Sequence, residues 1–507
     1  MKLTRSLIGA CAVSLMVGAA LLAVHFRARA VDAAAGIRID STPVNRSPQS
    51  GNSYSPVVKK VAPSVINIYS SRIVKERLYQ NPLMADPYFR QFFGDQGSEV
   101  TSRDNWLGSG IIVSPNGYIL TANHVVEGAD EIRVSLQDDK TEYSARVIGM
   151  DPPTDVAILK IDARNLPAVT LGDSDQLEVG DVVLAIGNPF GIGQTVTRGI
   201  ISALGRSLSG LSDSDAPGGR HYQSFIQTDA AINQGNSGGA LVDAEGRLIG
   251  INDAIVSPSG TSAGIGFAVP INMARSVMDG FLNGGKVSRG YLGVDPQDIT
   301  AALARMFDAP SADGALVTAV APHSPAAAAG LLSGDVVVAI NDKPVTSAES
   351  LRVTVSEIAP GTQVPVKIYR NGVAKTLTVT LGATGPDPAM AAAKTDDNSA
   401  RQPVTADALD GVEVQDLDAG LRLQLRAPHG LSGALVIDVD RASNSFEAGL
   451  RRGDLITEIN RQPVTSADDA VRQCKAARTD VIVVKVWRPL RGGVVRYLEV
   501  DNAKRAN

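Results

Sequence analysis

Residues 235–239 read Gly235-Asn236-Ser237-Gly238-Gly239, which places a serine on a glycine-rich turn just before an apolar run. Bare backbone around a serine leaves N–H groups that can meet a developing oxyanion, and a nucleophilic serine needs this setting. Glycine-rich turns are also common as plain turns. Whether Ser237 is a nucleophile therefore depends on a base and an orienting acid elsewhere in the chain.

Five histidines are available as the base, and His124 has the most suitable context. It follows the apolar, strand-like stretch 118–123 and precedes Val125-Val126. A histidine at such a strand-to-turn junction can be held in one orientation, although a purely structural histidine is the alternative. The other four lie in the N-terminal segment or in loops.

Asp155 is the candidate acid because it opens the apolar run Val156-Ala157-Ile158-Leu159. A charge there is costly without a partner. A histidine N–H would be a fitting partner, since the contact would fix the imidazole tautomer and stabilise the imidazolium. A simple turn residue is the alternative. The order His124, Asp155, Ser237 is that of the trypsin-like double barrel, with the first two on one barrel and the serine on the other.

Residues 1–30 predict export from the cytoplasm. Lys2 and Arg5 precede an apolar run over residues 6–24, and Ala28-Arg29-Ala30 is typical of a cleavage site. The run is also long enough for a membrane anchor. Beyond this segment only Cys474 remains, so no internal disulfide is expected. Export without disulfides fits a bacterial periplasmic protein.

The length of 507 residues predicts two to four domains, and the net charge of −5 argues against a nucleic-acid partner. Short strand-like runs recur from Val57 to about Val269, which favours β-barrels, and residues 271–282 predict a closing helix. Residues 330–348 recur at 449–467, a period of 119. So long a period indicates two copies of a small domain.

Several of these motifs resemble those of the HtrA (Do-like) serine proteases of the bacterial periplasm. They are Thr-Ala-Asn-His-Val-Val at 121–126, Thr-Asp-Val-Ala-Ile-Leu-Lys at 154–160, Gly-Asn-Pro-Phe-Gly at 187–191, Gly-Ile-Ile-Ser-Ala at 199–203 and Gly-Asn-Ser-Gly-Gly-Ala-Leu at 235–241. The resemblance runs from about Ser55 to about Val500 and includes two PDZ-like modules. Ala122 departs from it, because many members carry Asn there.

The expected fold class is mainly β: a trypsin-like double β-barrel protease domain followed by two PDZ-like α+β modules. The predicted boundaries are 1–30 for the signal peptide or N-terminal anchor, 31–55 for a flexible linker, 56–284 for the protease domain, 285–382 for the first PDZ domain, 383–408 for a second flexible linker and 409–503 for the second PDZ domain.

The resemblance implies roles for the residues singled out above. Ser237 would be the nucleophile, His124 the base and later the acid, and Asp155 the residue that orients His124. The backbone N–H groups of Gly235 and Ser237 would form the oxyanion hole. The sequence contains no metal-binding or nucleotide-binding motif, so no cofactor or metal is expected and the protease would be independent of ATP.

Specificity is predicted from position. In the double-barrel fold the residue six before the serine lies at the base of the P1 pocket, and here it is Ala231, with Ile232 beside it. No acidic residue stands there to receive Lys or Arg. The expected cleavage is after Val, Ala, Ile or Leu.

The first PDZ-like module contains Tyr291-Leu292-Gly293-Val294, which resembles the family's loop for binding a peptide carboxylate. A peptide C-terminus would bind its N–H groups and extend the sheet edge. In the second module Glu413 puts a negative charge beside the expected carboxylate, which favours assembly contacts there. Residues 75–105 form a long insertion that resembles a regulatory loop.

The function predicted is degradation of unfolded or mislocalised periplasmic proteins, with chaperone-like binding. The resemblance implies a homotrimer or a larger homo-oligomer. Two alternatives remain: a membrane-anchored stress-sensor protease with a dedicated substrate, and a non-enzymatic chaperone or PDZ scaffold.

Overall fold

The computed structural model describes residues 36–44, 53–78, 98–136, 141–188, 193–208, 222–233, 235–255, 264–383, 406–428, 430–489 and 493–502. The predicted export segment, most of both predicted linkers and residues 79–97 of the insertion lie outside these ranges. No helix in the described ranges is long and apolar enough to cross a membrane. The chain divides into two compact units, one holding residues 1–209 and 223–287, the other residues 210–222 and 288–507.

The first unit begins with a seven-stranded antiparallel sheet in the order β5-β4-β1-β2-β3-β7-β6. Its strands are β1 (Val65–Leu78), β2 (Ser98–Ile112), β3 (Tyr118–Ala122), β4 (Glu131–Ser135), β5 (Glu142–Ser144), β6 (Arg146–Asp151) and β7 (Val156–Lys160). β1 and β2 pair over their full lengths, from Val65 with Ile111 to Leu78 with Ser98. The two ends of the predicted insertion, 75–78 and 98–105, are therefore strand, which corrects the expectation of a loop over all of 75–105.

A second seven-stranded sheet follows, and its end strand β12 also pairs with β13, which closes it into a barrel. Its strands are β8 (Thr170–Leu171), β9 (Val182–Gly187), β10 (Thr195–Arg206), β11 (Phe225–Thr228), β12 (Ala240–Asp243), β13 (Arg247–Ile255) and β14 (Gly266–Pro270). The helices of this unit are α1 (Ser55–Val61), α2 (Asn123–Val126) and α3 (Ile271–Gly284).

Helix α3 closes the unit, two residues longer than the 271–282 predicted. Its last residue is Gly284. The following residue, Gly285, caps the helix and adopts φ +67°, a conformation that glycine reaches without strain. Its Phe281 ring lies against Gly149 of β6, in the space that a Cβ at Gly149 would fill. Apolar residues of α3 are buried on this side, so burial rather than helix propensity holds the helix.

The second unit holds two modules of similar topology. The first contains β15 (Gly290–Tyr291), β16 (Val294–Asp298), β17 (Ala315–Val320), β18 (Val336–Ile340), β19 (Lys343–Pro344), β20 (Gln363–Arg370), β21 (Val373–Thr380) and β22 (Gly382–Ala383), with α4 (Ala301–Met306), α5 (Pro325–Ala328) and α6 (Ala348–Glu357). The second contains β23 (Ala406–Leu409), β24 (Val412–Asp416), β25 (Ala434–Val439), β26 (Leu455–Ile459), β27 (Gln462–Pro463), β28 (Val481–Arg488) and β29 (Val494–Asp501), with α7 (Ala419–Gln424), α8 (Asn444–Glu447) and α9 (Ala467–Ala476).

The repeated sequence serves the same structural purposes in both modules. Asp335 is 1% exposed and forms a two-pronged ion pair with Arg370, and Asp454 does the same with Arg488. Ser347 caps the N-terminus of helix α6 by accepting a hydrogen bond from the Ser350 N–H, and Ser466 caps α9 in the same way through the Asp469 N–H. The two copies of the repeat thus supply the same buried aspartate and the same helix cap, while the arginine partners lie beyond the repeated stretch.

The two modules differ at one sheet edge. Among the described strands β16 ends its sheet, and none of them pairs with its outer edge. The corresponding strand β24 is paired on its outer edge with β23, through Ala406 with Val414 and Leu409 with Val412. The second module therefore covers with its own chain the edge that the first leaves available.

Candidate active site

His124 and Asp155 are brought together at the end of β3. Asn123 begins helix α2 and donates its N–H to the Asp155 carbonyl, at 2.9 Å. The backbone N–H of His124 donates to Asp155 Oδ1 at 2.9 Å, and His124 Nδ1 lies 2.5 Å from Asp155 Oδ2. Both carboxylate oxygens of Asp155 thus hold the same histidine, once through its backbone and once through its ring.

Asp155 reaches this position through an uncommon backbone conformation. It ends the short 3-10 turn Pro152–Thr154 with φ +53° and ψ +40°, in the left-handed region. A non-glycine residue there costs about 1 kcal/mol or more, and such conformations cluster at functional sites. The turn joins β6 to Asp155, which directly precedes β7, and the Asp155 carboxylate faces His124.

The two groups shift one another's pKa in opposite directions. Burial lowers the pKa of His124, but the hydrogen bond and the charge of Asp155 outweigh it, and the net pKa is raised above 6.5. Burial raises the pKa of Asp155, and the hydrogen bond and charge of His124 more than reverse this, so that its net pKa is lowered. A base with a raised pKa and a carboxylate that stays ionised suit general-base catalysis.

Ser237 lies on the second barrel, in the loop before β12. Gly235 and Gly238 on either side of it have φ of +95° and +80°. A Cβ at Gly238 would overlap the Ser109 carbonyl and the Thr121 hydroxyl. The loop conformation and the close approach of the first barrel both require glycine here.

The Ser237 hydroxyl donates to the backbone carbonyl of Asp253, at 2.9 Å. Within the described ranges this is its only hydrogen bond, so the serine is not paired with His124 in this structure. The site therefore contains an assembled acid–base pair and a serine whose hydroxyl is directed to its own barrel.

Ser109 of β2 ties the serine loop to the first barrel. Its N–H donates to the Ser237 carbonyl at 2.9 Å, and its hydroxyl donates to the Gly235 carbonyl at 2.7 Å. The same hydroxyl accepts from the Asn188 N–H at 2.9 Å. Ser109 is fully buried, and three contacts in such a place hold the loop in register with the histidine side. The sequence analysis missed this residue, since a serine within an apolar strand gives no distinctive signal.

The backbone N–H groups of Gly235 and Ser237 are free to bind an oxyanion as far as the structure describes their surroundings. No acceptor in the described part of the chain pairs with either of them. Their neighbour Gln234 is outside the described ranges. The assignment of these two groups as an oxyanion hole stays a prediction.

The two predicted pocket residues occupy different environments. Ala231 is half-buried, and its carbonyl accepts from the Thr197 hydroxyl at 2.8 Å. Ile232 is 1% exposed and packs into the core of the second barrel with Ile226 and Ala268. No charged side chain is introduced by either residue, and the predicted preference for small aliphatic residues stays a prediction.

A second carboxylate, Asp253, was also missed by the sequence analysis. It lies on β13, is 7% exposed, and its Oδ1 is 3.6 Å from His124 Nδ1. The signal was present as an aspartate two residues after the apolar run Leu248–Ile251. With His124 and Asp155 it forms the one cluster of potential metal ligands in the described residues. Because Asp155 already engages Nδ1 at 2.5 Å, the cluster is a hydrogen-bonded acid–base group, and the expectation that no metal is used stays a prediction.

In the first module the predicted carboxylate loop connects β15 to β16. Gly293 has φ +85°, and a Cβ there would overlap Ser324. The carbonyls of Leu292 and Gly293 accept from Ala326 and Ala321, both at 2.9 Å, while their N–H groups have no acceptor among the described residues. Turned-in carbonyls and unpaired N–H groups at an open sheet edge suit the binding of a peptide C-terminus.

Three family models match the chain, all within the predicted domains. A trypsin-like peptidase domain matches residues 108–251, and PDZ domains match 290–381 and 435–488. A probable periplasmic serine endoprotease, DegP-like, of Chlamydia pneumoniae is 39% identical over 96% of this chain and 97% of its own. The chain belongs to the HtrA family of serine endopeptidases. This confirms the mainly β fold class, the two PDZ domains and the enzyme class.

Other members of the HtrA family are similar to the same extent. A probable periplasmic serine endoprotease, DegP-like, of Pseudomonas putida (strain W619) is 41% identical over 82% of this chain and 86% of its own. Among solved structures, an HtrA-type protease AlgW with tripeptide is 44% identical and covers 66% of this chain and 98% of that one, with a TM-score of 0.52. The same protease with decapeptide is 46% identical, over 66% and 99%, with a TM-score of 0.50.

Proposed function

We propose that this HtrA endopeptidase cuts unfolded or mislocalised proteins in the periplasm with Ser237 as nucleophile, His124 as general base and Asp155 as the residue that orients the histidine. The observation that carries the proposal is the double contact of Asp155 with His124, at 2.9 Å to the backbone and 2.5 Å to the ring. It fixes the ring and puts the Nδ1 proton between the two residues, which leaves Nε2 unprotonated to act as the base.

Catalysis begins when the Ser237 hydroxyl turns from the Asp253 carbonyl to Nε2 of His124. A serine side chain can make such a change by rotating between staggered positions about one bond. His124 takes the hydroxyl proton as Ser237 Oγ attacks the scissile carbonyl. The resulting imidazolium is stabilised by Asp155 and then gives the proton to the leaving amine. A water molecule then gives a proton to His124 and attacks the acyl-enzyme. The acid product leaves, and Ser237 takes the proton back.

The tetrahedral intermediate carries its negative charge on the former carbonyl oxygen. We assign the backbone N–H groups of Gly235 and Ser237 to this oxygen, because both are unpaired within the described residues. One such donor contributes about 3 kcal/mol to transition-state stabilisation. Ser109 binds the Gly235 and Ser237 carbonyls and so holds the backbone of the loop that carries both N–H groups.

Substrate choice follows from the surroundings of the serine and from the first PDZ module. The pocket expected at Ala231 has no acidic residue and favours cleavage after Val, Ala, Ile or Leu. The loop 291–294 captures peptide C-termini at the open edge of β16. Chaperone-like binding of unfolded chains and a homotrimer or larger assembly complete the proposal, and relatives named as periplasmic endoproteases support the location.

The test is digestion of casein by the wild-type protein and by Ser237→Ala, with temperature and an added C-terminal peptide as variables. We expect Ser237→Ala to lose activity by about 10⁴-fold or more and to lose labelling by a fluorophosphonate probe. Ser70→Ala, another buried serine of the first barrel, is the matched control. Equal digestion by Ser237→Ala and wild type would overturn the assignment. Mapped cuts mainly after Lys or Arg would contradict the specificity alone.

A further inference from the structure

The Asp253 carboxyl has no lysine or arginine partner among the described residues. It lies within the buried part of β13, at 7% exposure, two residues after Ile251, and Leu248, Ile249 and Ile251 are each at most 1% exposed. In the described part of the chain no lysine or arginine pairs with it, and its one ion-pair neighbour is His124 at 3.6 Å. A carboxylate buried in this way is stable only with hydrogen bonds or with a proton.

His124, the nearby side chain that can carry a positive charge, is already hydrogen-bonded to Asp155. Asp155 Oδ2 lies 2.5 Å from His124 Nδ1, more than 1 Å closer than Asp253 Oδ1. The ligand atoms of all three residues fall within 4.8 Å of one another, so the carboxyls of Asp253 and Asp155 are neighbours. Two neighbouring carboxylates in a buried site cannot both ionise without strong repulsion, and one of them keeps its proton.

The environments of the two carboxyls decide which one is protonated. Asp155 has two donors from His124 and its pKa is lowered despite its burial. Burial, the negative charge of Asp155 and the hydrogen bond between the two carboxyls raise the pKa of Asp253 well above its ordinary value. The proton therefore belongs to Asp253, and Asp155 carries the charge.

We propose that Asp253 is a positioning residue of the catalytic site, which holds a proton at neutral pH and donates it in a hydrogen bond to Asp155. This inference rests on the proposed role of Asp155 as the residue that orients His124. Asp155 then accepts from three donors, which are the backbone and ring of His124 and the carboxyl of Asp253. These three hydrogen bonds hold the Asp155 carboxylate in one orientation against the imidazole.

Asp253 also acts on the nucleophile through its backbone. Its carbonyl accepts the Ser237 hydroxyl at 2.9 Å, so one residue contacts both the acid and the nucleophile. The titratable groups that face it are Asp155 and His124, and Glu127 adds its charge to His124 from helix α2's C-terminal end. Side-chain substitutions at Asp253 leave the carbonyl in place and test the carboxyl alone.

The test compares Asp253→Asn, which keeps the shape and an N–H donor but cannot ionise, with Asp253→Leu, which keeps the size and loses the donor. We expect Asp253→Asn to retain kcat within about threefold of wild type at pH 7, and Asp253→Leu to lose about tenfold or more in kcat with KM little changed. If both variants had the kcat of wild type, the Asp253 carboxyl would contribute only to packing, and the proposal would be overturned. A loss in Asp253→Asn as large as in Asp253→Leu would show that an ionised carboxylate is required, and would overturn the proposal.

Infrared spectroscopy gives a readout independent of activity. The wild-type protein at neutral pH should show the band of a protonated buried carboxylic acid, and Asp253→Asn should lack it. Identical spectra would overturn the proposal even if Asp253→Leu failed to fold. Failure of the proposed function is recognised separately, because wild type would then neither digest casein nor react with a fluorophosphonate, whatever the state of Asp253.

Discussion

The Ser237 hydroxyl donates to the Asp253 carbonyl at 2.9 Å, while His124 Nδ1 lies 2.5 Å from Asp155 Oδ2 on the other barrel. The acid–base pair is therefore fully formed before the nucleophile joins it. The proposed mechanism requires the Ser237 hydroxyl to leave the Asp253 carbonyl and turn to His124.

The pH dependence of kcat/KM should follow the raised pKa of His124. The base must be unprotonated, so activity should fall as the pH drops through a value above 6.5. Asp155→Asn removes the negative charge of Asp155, a larger cause of the raised His124 pKa than Glu127, and leaves burial, which lowers this pKa, with only the smaller effect of Glu127 opposing it. We expect its acid limb at lower pH, together with a loss of about 10³ to 10⁴-fold in kcat, since the tautomer is no longer fixed. Rates measured from pH 5 to 9 on a fluorogenic peptide would decide.

The control for this pH profile is Glu127→Gln. Glu127 contributes the smallest of the effects that raise the His124 pKa, and it is exposed. Its acid limb should move downwards only slightly, with kcat unchanged. An acid limb of wild type at or below pH 6.5 would contradict the assigned electrostatics.

Gly238→Ala should inactivate the enzyme. The added methyl group would overlap the Ser109 carbonyl and the Thr121 hydroxyl, both buried and both hydrogen-bonded, so the serine loop would have to shift. We expect a loss of about 100-fold or more in kcat/KM, since a displacement of about 1 Å is that costly. Kinetic assay and fluorophosphonate labelling measure it.

Gly264→Ala separates this overlap from backbone strain. Gly264 has nearly the same φ, +79° against +80°, but nothing lies within 4 Å of the Cβ position. It should keep most of its activity. Similar losses in both variants would mean that strain, not the approach of the two barrels, makes Gly238 necessary.

Ser109→Ala should reduce kcat with little change in KM. It removes the hydroxyl that joins the Gly235 carbonyl to the Asn188 N–H, so the serine loop loses one of its two ties to Ser109 and keeps only the backbone contact at the Ser237 carbonyl. We expect a decrease of about tenfold to 100-fold and a loss of about 1 to 2 kcal/mol in the free energy of unfolding. Ser70→Ala, whose buried hydroxyl donates to the Val125 carbonyl, should lose stability but not kcat. Equal kcat effects in the two variants would argue against a role for Ser109 in catalysis.

Gly293→Ala should weaken the binding of a C-terminal peptide to the full-length protein by about tenfold or more. The methyl group would overlap Ser324 and displace the loop whose N–H groups are proposed to bind the carboxylate. A loss of about 1.4 kcal/mol corresponds to this change in Kd. Fluorescence anisotropy with a labelled peptide measures it.

The corresponding change in the second module is Gly411→Ala, which also creates an overlap at positive φ. Because β23 already covers the edge of β24, we expect peptide binding to stay within about twofold of wild type. A larger effect of Gly411→Ala than of Gly293→Ala would reverse the roles assigned to the two modules.

Much of the architecture follows from local patterns in the sequence. The repeat at 330–348 and 449–467 marks two modules because a helix cap and a buried ion pair each need particular residues at particular spacings. The glycine-rich sequence around Gly238 indicated a turn with positive φ, and the apolar periodicity of residues 271–282 predicted the closing helix. For the helix cap, the glycine turn and the closing helix the physical cause lies within a few residues of chain.

His124, Asp155 and Ser237 could be chosen from the sequence because each stands in a distinctive local context and the chain order is informative. The contacts of Ser109 and Asp253 could not, because they join strands more than 100 residues apart along the chain, as between Ser109 and Gly235 or His124 and Asp253. The sequence by itself indicated the modules and the family, and it singled out the three residues proposed to react. Only the tertiary structure decided that a second carboxyl faces Asp155 and that the serine points to Asp253, because burial and the charges of distant neighbours set both.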